Sequence, residues 1–435
     1  MTQYDRFLSR SGQLMRESAI RQMGTVLAEA RDMVSFAPGY PDEAVLPWQA
    51  LAEIARDLLS GTDGSVLQYG PTRGFPPLRE VIVGLMQERG VSTSTDQIVV
   101  TTGSQQGLDV VARVLLDPGD VVLLELPSYT GAITAFQNVG ASLVGVRQDV
   151  DGLDLDELDR TMDVLAAEGR RVKCLYVVPN FQNPAGSLMS LVKRHRVLEW
   201  AARRDLLIVE DDPYRDLYFP DVTREADTRP IAADDADGRV LYLSSFSKTL
   251  APGFRVAWAS APAPLAAKVE LAKQAEDLCT GGLDQRIVYE ACRRGVLAGQ
   301  LPRLRAHYQR KRDVMAGALT RSGASQKMRW LAPRGGFFLW ARLDPPLLAN
   351  TLLPFAKARG VIYVAGPAFF VNGQGQEFLR LSFSAPSCER IEEGVVRLDA
   401  AITDALEADA AREAPPPYPA GPLQGQSRAS RFDRP

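Results

Sequence analysis

The chain has 435 residues, 46% of them hydrophobic and 24% charged, and 50 Lys and Arg against 53 Asp and Glu leave a net charge of −3. That size and apolar content call for a large domain plus at least one smaller one and exclude disorder, collagen or coiled coil as the main architecture. The near-neutral balance, without a long basic block, gives no electrostatic footprint for nucleic acid or an anionic membrane.

No apolar run approaches the roughly 18 residues of a membrane span, and Met1 to Arg16 lacks an apolar signal core, so the expected location is cytoplasmic. Four separated cysteines (Cys174, Cys279, Cys292, Cys388) and two histidines (His195, His307) supply neither a disulfide framework nor a metal site, and no metal is expected.

Between Gln97 and Trp258 short apolar runs alternate with helical stretches, the pattern of a mainly parallel sheet covered on both faces. Seven strands are predicted: Ile98 to Thr101, Val121 to Glu125, Ser142 to Val146, Cys174 to Val178, Leu206 to Val209, Val240 to Leu243 and Arg255 to Ala259. Helices are predicted from Ser104 to Leu116, closed by Asp117-Pro118-Gly119-Asp120, and from Ser190 to Arg204, with Ser190 as N-cap. From Pro302 a long charged helix and strand-like segments around Phe337 to Leu343 and Phe378 to Phe383 predict a second, smaller α+β domain, joined by the N-terminal segment. The expected division is an arm over 1–47, a large domain over 48–301, a small domain over 302–410 and a Pro-rich tail over 411–435, too poor in large aliphatics to bury a core and expected to be disordered.

Four strand ends concentrate chemistry. Ser244-Ser245-Phe246-Ser247-Lys248 follows a buried strand, with Arg255 seven residues on. Desolvation and a neighbouring cation lower a lysine pKa toward the neutral amine that forms a Schiff base, and Arg255 can grip a phosphate bidentately. Thr101-Thr102-Gly103-Ser104-Gln105 runs from a strand into a helix, whose free N–H groups and dipole form an anion site. It has neither the spacing of a Walker loop nor that of a dinucleotide fold. Val178 to Gly186, containing Asn183, and Glu210-Asp211-Asp212-Pro213-Tyr214 place an amide, a carboxylate and a phenol where a heterocycle with a ring NH+ and a phenolic oxygen could be held. Each motif alone also reads as plain capping, turn chemistry or a solvated loop.

In chain order these segments resemble the pyridoxal-phosphate aminotransferases of the aspartate aminotransferase fold type, over nearly the whole chain. The likeness within that family is to the kynurenine/2-aminoadipate aminotransferase branch, through Ser18-Ala19-Ile20-Arg21, Ser35 to Pro41, Leu67-Gln68-Tyr69-Gly70 and Arg334-Gly335-Gly336-Phe337-Phe338. The resemblance implies an α/β large domain binding pyridoxal 5'-phosphate and a small α+β domain. It implies Lys248 as the Schiff-base lysine, Asp211 on the pyridinium proton, and Tyr214 and Asn183 on the ring's O3'. Gly103, Ser104, Gln105, Ser245, Ser247 and Arg255 would cup the phosphate, joined by Tyr69 from the partner of a homodimer, with Tyr129 stacked on the ring. Arg380 would clamp the substrate's α-carboxylate, Gly39 and Asn183 would line the same pocket, and Arg21 would meet the substrate side chain. Pro38 and Tyr40 stand where that branch commonly has Gly and a small apolar residue, so the donor's side chain stays open.

The expected reaction is ping-pong transfer of an amino group from an amino acid, aromatic or 2-aminoadipate-like, to a 2-oxo acid such as 2-oxoglutarate, with Lys248 as proton shuttle. The alternatives left open are another pyridoxal-phosphate reaction on the same fold (β-lyase, decarboxylase, cyclase or oxidase) and a non-catalytic regulatory domain.

Overall fold

The computed structural model describes residues 4–9, 12–13, 15 and 32–413. Arg21 and residues 414–435 of the expected tail lie outside these, whereas residues 411–413, expected to begin the tail, are the end of the helix Cys388–Glu413.

Fourteen strands are described: β1 Val34–Ser35, β2 Ile98–Thr102, β3 Val121–Leu126, β4 Ser142–Asp149, β5 Gly152–Leu153, β6 Val172–Val177, β7 Leu207–Asp211, β8 Val240–Ser245, β9 Val256–Ser260, β10 Met328–Trp330, β11 Phe338–Leu343, β12 Val361–Ile362, β13 Val364–Ala365 and β14 Phe378–Ser382. Eight form one sheet in the order β2-β9-β8-β7-β6-β3-β4-β5. Strands β4, β3, β6, β7 and β8 pair in parallel, while β9 is antiparallel to both β8 and β2. The seven expected strands are all present, and β5 adds a two-residue eighth.

Alternation along the strands sends successive side chains to opposite faces. Val99, Val122, Leu124, Tyr176, Val209, Leu243 and Ala259 pack with the helices Ser104–Leu115, Thr130–Asn138 and Ala263–Asp277. Val121, Leu123, Leu175, Val177 and Ile208 face the helix Leu191–Arg204, where Ser190 Oγ caps by accepting from Lys193 N–H at 3.2 Å. With both faces covered, the sheet is reachable only at its edges. The carboxyl ends of β2, β3, β6, β7 and β8 share one edge, and antiparallel β9 starts there, directly after Arg255.

A second sheet has the order β10-β11-β14-β13, wholly antiparallel. The long helix expected from Pro302 begins earlier, at Val296, and runs to Arg321 with Pro302 inside it, its first turns held by buried Leu297, Gln300 and Leu304. The N-terminal segment joins this part: β1 pairs in parallel with β12, and Ser382 N–H donates to Phe36 O at 2.8 Å.

Candidate functional site

The carboxyl edge gathers the polar strand ends. Lys248 lies three residues beyond β8, with its Nζ 5.9 Å from the ring centroids of both Tyr214 and Phe337 and donating to Gly39 O at 3.0 Å. Burial, reinforced by the Arg255 and Arg380 cations, lowers its pKa to about 8, with Asp211 pulling the other way. The expectation of a lysine poised near neutrality therefore has a geometric cause.

Asp211, the last residue of β7, is 3% exposed. Tyr176 OH donates to its Oδ2 at 2.8 Å, whereas Oδ1 is buried without a partner. Burial raises the Asp211 pKa to about 7, while the Tyr176 hydrogen bond and Lys248 oppose the rise. A cation or N–H donor placed at Oδ1 would reverse that balance.

On the other side of the edge, Gly103 (φ +82°) leads into the Ser104–Leu115 helix, whose first N–H groups have no intrahelical acceptor. A Cβ on Gly103 would stand 2.1 Å from an Arg255 terminal nitrogen, so only glycine lets the guanidinium close over this turn. Ser104 Oγ is buried and unpartnered. Ser245 Oγ donates to Ser247 Oγ at 2.8 Å and accepts from Ser247 N–H at 2.9 Å, and both side chains are buried. Gln105 differs from the simplest expectation: its side-chain amide is used on Gly131 O at 2.9 Å, which leaves its backbone N–H at the helix start for an anion.

Arg380, on β14, is only 1% exposed and lies between two aromatic faces, 4.4 Å from the Phe338 centroid and 5.1 Å from that of Phe369. It donates to Asn183 Oδ1 at 2.7 Å and to Ala37 O, while Nε is left unpartnered. Burial lowers its pKa to about 10. Tyr214 is fully buried and hydrogen-bonded to Asn183; burial, then Tyr129 and Asp211, raise its pKa against Arg380 and Asn183. A Cβ on Gly39 would meet Phe338 Cζ at 2.5 Å, so glycine keeps this segment against the aromatic wall.

The chain thus brings together Gly39, Gly103, Ser104, Gln105, Tyr129, Asn183, Asp211, Tyr214, Ser245, Ser247, Lys248, Arg255 and Arg380. Tyr69 is 79% exposed on the single chain, and Arg21 is outside the described residues. Two contributors were missed: the Ala37 carbonyl, which carries no side-chain signal, and Tyr176. A hydroxyl in the otherwise apolar run Cys174-Leu175-Tyr176-Val177 was the available clue, because a buried phenol needs a partner.

Among the described residues seven buried side-chain atoms lack a partner, and Ser104 Oγ, Asp211 Oδ1 and Arg380 Nε are three of them. The other four are Arg79 Nε, Ser128 Oγ, Arg215 Nε and Trp258 Nε1, so an orphaned atom alone marks no ligand; what outlines one here is three of them beside a lysine amine. An anion cup at one end, an unpartnered carboxylate oxygen and a lysine amine fit a flat phosphorylated heterocycle bearing an aldehyde, and the Arg380 guanidinium suits a carboxylate beside it. Among the described residues no cluster fit for a metal and no helix long and apolar enough to cross a membrane occurs.

Comparison with known proteins agrees. The family model described as "Aminotransferase class I and II" matches residues 31–398. The aromatic-amino-acid aminotransferase 1 of Thermococcus litoralis is 37% identical over 405 residues, covering 93% of this chain and 96% of that one. The 2-aminoadipate transaminase of Thermus thermophilus is 39% identical over 392 residues, 90% of this chain and 95% of that one. Among solved structures, kynurenine aminotransferase from Pyrococcus horikoshii, in complex with PMP, KYN and KYA, superposes with a TM-score of 0.87 at 35% identity, covering 93% of this chain and 98% of that one.

Proposed function

The chain belongs to the class I and II aminotransferase family and is a pyridoxal-phosphate-dependent enzyme of amino transfer, and from that premise we propose that it moves the amino group of an aromatic or 2-aminoadipate-like amino acid to a 2-oxo acid such as 2-oxoglutarate. The observation that carries the residue assignment is the buried Lys248 amine, with a pKa near 8, within reach of Asp211, Tyr214 and Arg380. The donor class is supported by the relatives that act on aromatic amino acids and 2-aminoadipate.

When bound, pyridoxal phosphate supplies the carbonyl that condenses with amino groups and the ring that withdraws electrons from the donor's Cα. Lys248 is its attachment point. Ser104, the Gly103–Gln105 N–H groups, Ser245, Ser247 and Arg255 would hold the phosphate, Asp211 Oδ1 the ring N–H, Tyr214 and Asn183 the phenolic oxygen, and Tyr129 the ring face. With its amine free, Lys248 Nζ would be the base that takes the donor's Cα proton and hands it on. Arg380 fixes the donor's carboxylate so that this hydrogen faces Nζ, and Gly39 closes the pocket while its carbonyl orients the freed amine. Burial of the edge excludes water, which keeps the proton from exchanging. Arg21 meets the donor's side chain in this reading.

The same reading makes the enzyme a cytoplasmic homodimer with Tyr69 reaching the partner's phosphate. Exposed Leu67 and Tyr69, two residues apart on one segment, support a covered surface there. The separation of the two sheets supports a large and a small domain, while the expected cuts at 301 and 410 fall inside the helices Val296–Arg321 and Cys388–Glu413.

Visible absorbance of the holoprotein tests the proposal: the cofactor band is expected to bleach with L-phenylalanine or L-2-aminoadipate and to return with 2-oxoglutarate. In Lys248→Ala turnover is expected to fall more than about 10³-fold. Near-normal turnover in that variant would overturn the assignment of Lys248.

A further inference from the structure

Arg380 does not stand alone in the wall of the pocket. Its guanidinium bonds Ala37 O, and Ala37 opens a loop, Ala37-Pro38-Gly39-Tyr40-Pro41-Asp42, whose carbonyls are shared between reacting groups and scaffold. Ala37 O faces Arg380, Gly39 O accepts from Lys248, and Tyr40 O accepts from Ser384 Oγ at 2.6 Å.

The far end of that loop is pinned by a buried charge. Asp42 Oδ2 accepts from Lys311 Nζ and lies 2.9 Å from His307 Nε2, both on the Val296–Arg321 helix. Its N–H donates to Tyr308 OH at 3.0 Å. The Lys311 side chain is 2% exposed and that of Asp42 14%. Against the upward push of burial, hydrogen bonds from Lys311, Ala44 N–H and His307 hold the Asp42 carboxyl below its ordinary value. The second Lys311 contact is Ser384 O at 2.7 Å, just beyond the strand that bears Arg380. One ammonium therefore ties the loop that faces Arg380 to the chain that carries Arg380. Tyr308 extends the tie, its ring 4.7 Å from Phe337, which in turn packs on Tyr214.

A buried ion pair is weak evidence for stability, since apolar residues of similar volume often serve as well. Here the pair spans 269 residues of sequence to join the far end of the loop to Ser384, just past the strand that bears Arg380. We propose that Lys311 and Asp42 are positioning residues for the substrate carboxylate: their ion pair clamps the Ala37 to Asp42 loop against the end of the Phe378–Ser382 strand and so sets where the Arg380 guanidinium presents. The proposal rests on the reading of Arg380 as the carboxylate clamp. Neither residue touches the phosphate cup, so cofactor retention is independent of the pair.

The test uses holoenzyme. In Lys311→Met, and in the double variant Lys311→Met with Asp42→Asn, which leaves no charge unpaired, KM for L-phenylalanine is expected to rise about tenfold or more with kcat changed less than about threefold. The dissociation constant of 3-phenylpropionate, a carboxylate without an amino group, is expected to rise in parallel when followed by perturbation of the cofactor's visible band. The cofactor's own dissociation constant should stay within twofold. An unchanged 3-phenylpropionate constant would overturn the clamp, as would a parallel loss of cofactor affinity and thermal stability, which marks a merely structural pair. If the wild type does not turn over L-phenylalanine, the donor reading fails, and the 3-phenylpropionate titration decides the clamp by itself. Should Lys311→Met not fold, the same titration on the double variant decides it.

Discussion

Two buried polar regions lie on opposite faces of β7, one residue apart. Under the sheet, Glu210 accepts from the N–H groups of Ile231 and Ala232 at 2.8 and 2.9 Å, and Asp212 accepts from Asn180 and Tyr242, each at 2.9 Å. Arg89 donates to Tyr242, Ser244 and Asp216, and Arg194 to four oxygens within 3.1 Å. None of Arg89, Asn180, Arg194, Glu210, Asp212 and Tyr242 leaves a buried side-chain atom unpartnered. At the carboxyl edge Asp211, Ser104 and Arg380 do. Burial and residue type are alike on the two faces; the carboxylates differ, since both oxygens of Glu210 and of Asp212 are used and one of Asp211 is not, although Arg215 Nε and Trp258 Nε1 beside the first network are also unpartnered. The lesson is that a buried carboxylate is scaffold when both oxygens are used and a site when one is held back.

Breaking the satisfied side should cost stability and spare chemistry. Arg89→Met takes from Tyr242 its donor and from Asp216 one of two, Arg215 keeping the other oxygen, and an expected loss of about 3–5 kcal/mol in urea unfolding, with the kcat of the folded fraction near wild type, would bear the contrast out. A collapse of kcat at unchanged stability would erase it.

The unsatisfied side should respond the other way. Asp211→Asn is expected to lower kcat about 10²–10³-fold, the scale of losing one aimed electrostatic group. Its effect on the cofactor-free protein has a sign. Asp211 is raised from 3.8 to about 7 in the fold, so between about pH 4 and 7 the unfolded chain ionises first and stability falls as pH rises. That loss is on the order of 2–4 kcal/mol, at about 1.4 kcal/mol per unit. Unfolding of the apoprotein at pH 5 and pH 8 should show it, and the Asn variant should lack it.

Tyr176→Phe probes the boundary, because it frees the second oxygen of Asp211. With the donor gone Asp211 becomes harder to ionise, and kcat is expected to drop about tenfold, the worth of one hydrogen bond to a charged group, most clearly at the low end of the pH profile. A flat profile identical to wild type would show that Asp211 needs no outside orientation.

Much of this was legible in advance, for local reasons. Lys248, Asp211, Ser104 and Asn183 are polar interruptions at the ends of apolar strands, and the edge they share follows from strand direction alone. Contacts between distant segments were not legible. Arg380 stands between Leu379 and Leu381 on an inner strand, and no local pattern shows that Phe338 and Phe369 enclose its guanidinium. His307 meets Asp42 across 265 residues, a pairing that no local spacing shows. Pairings at such separation are set by tertiary closure and leave no periodicity to read.

The parallel pairing of β1 with β12, and the Arg380–Ala37 contact across 343 residues, also set an order of birth. Apart from Tyr69, which reaches the partner's site in the proposed dimer, the groups assigned to the phosphate lie between Gly103 and Arg255, so this chain's share of the cup has been synthesised long before Arg380 leaves the ribosome. The wall that recognises a donor closes only when the first residues of the chain are revisited by nearly the last. A nascent chain therefore owns its cofactor contacts well before it can tell one amino acid from another.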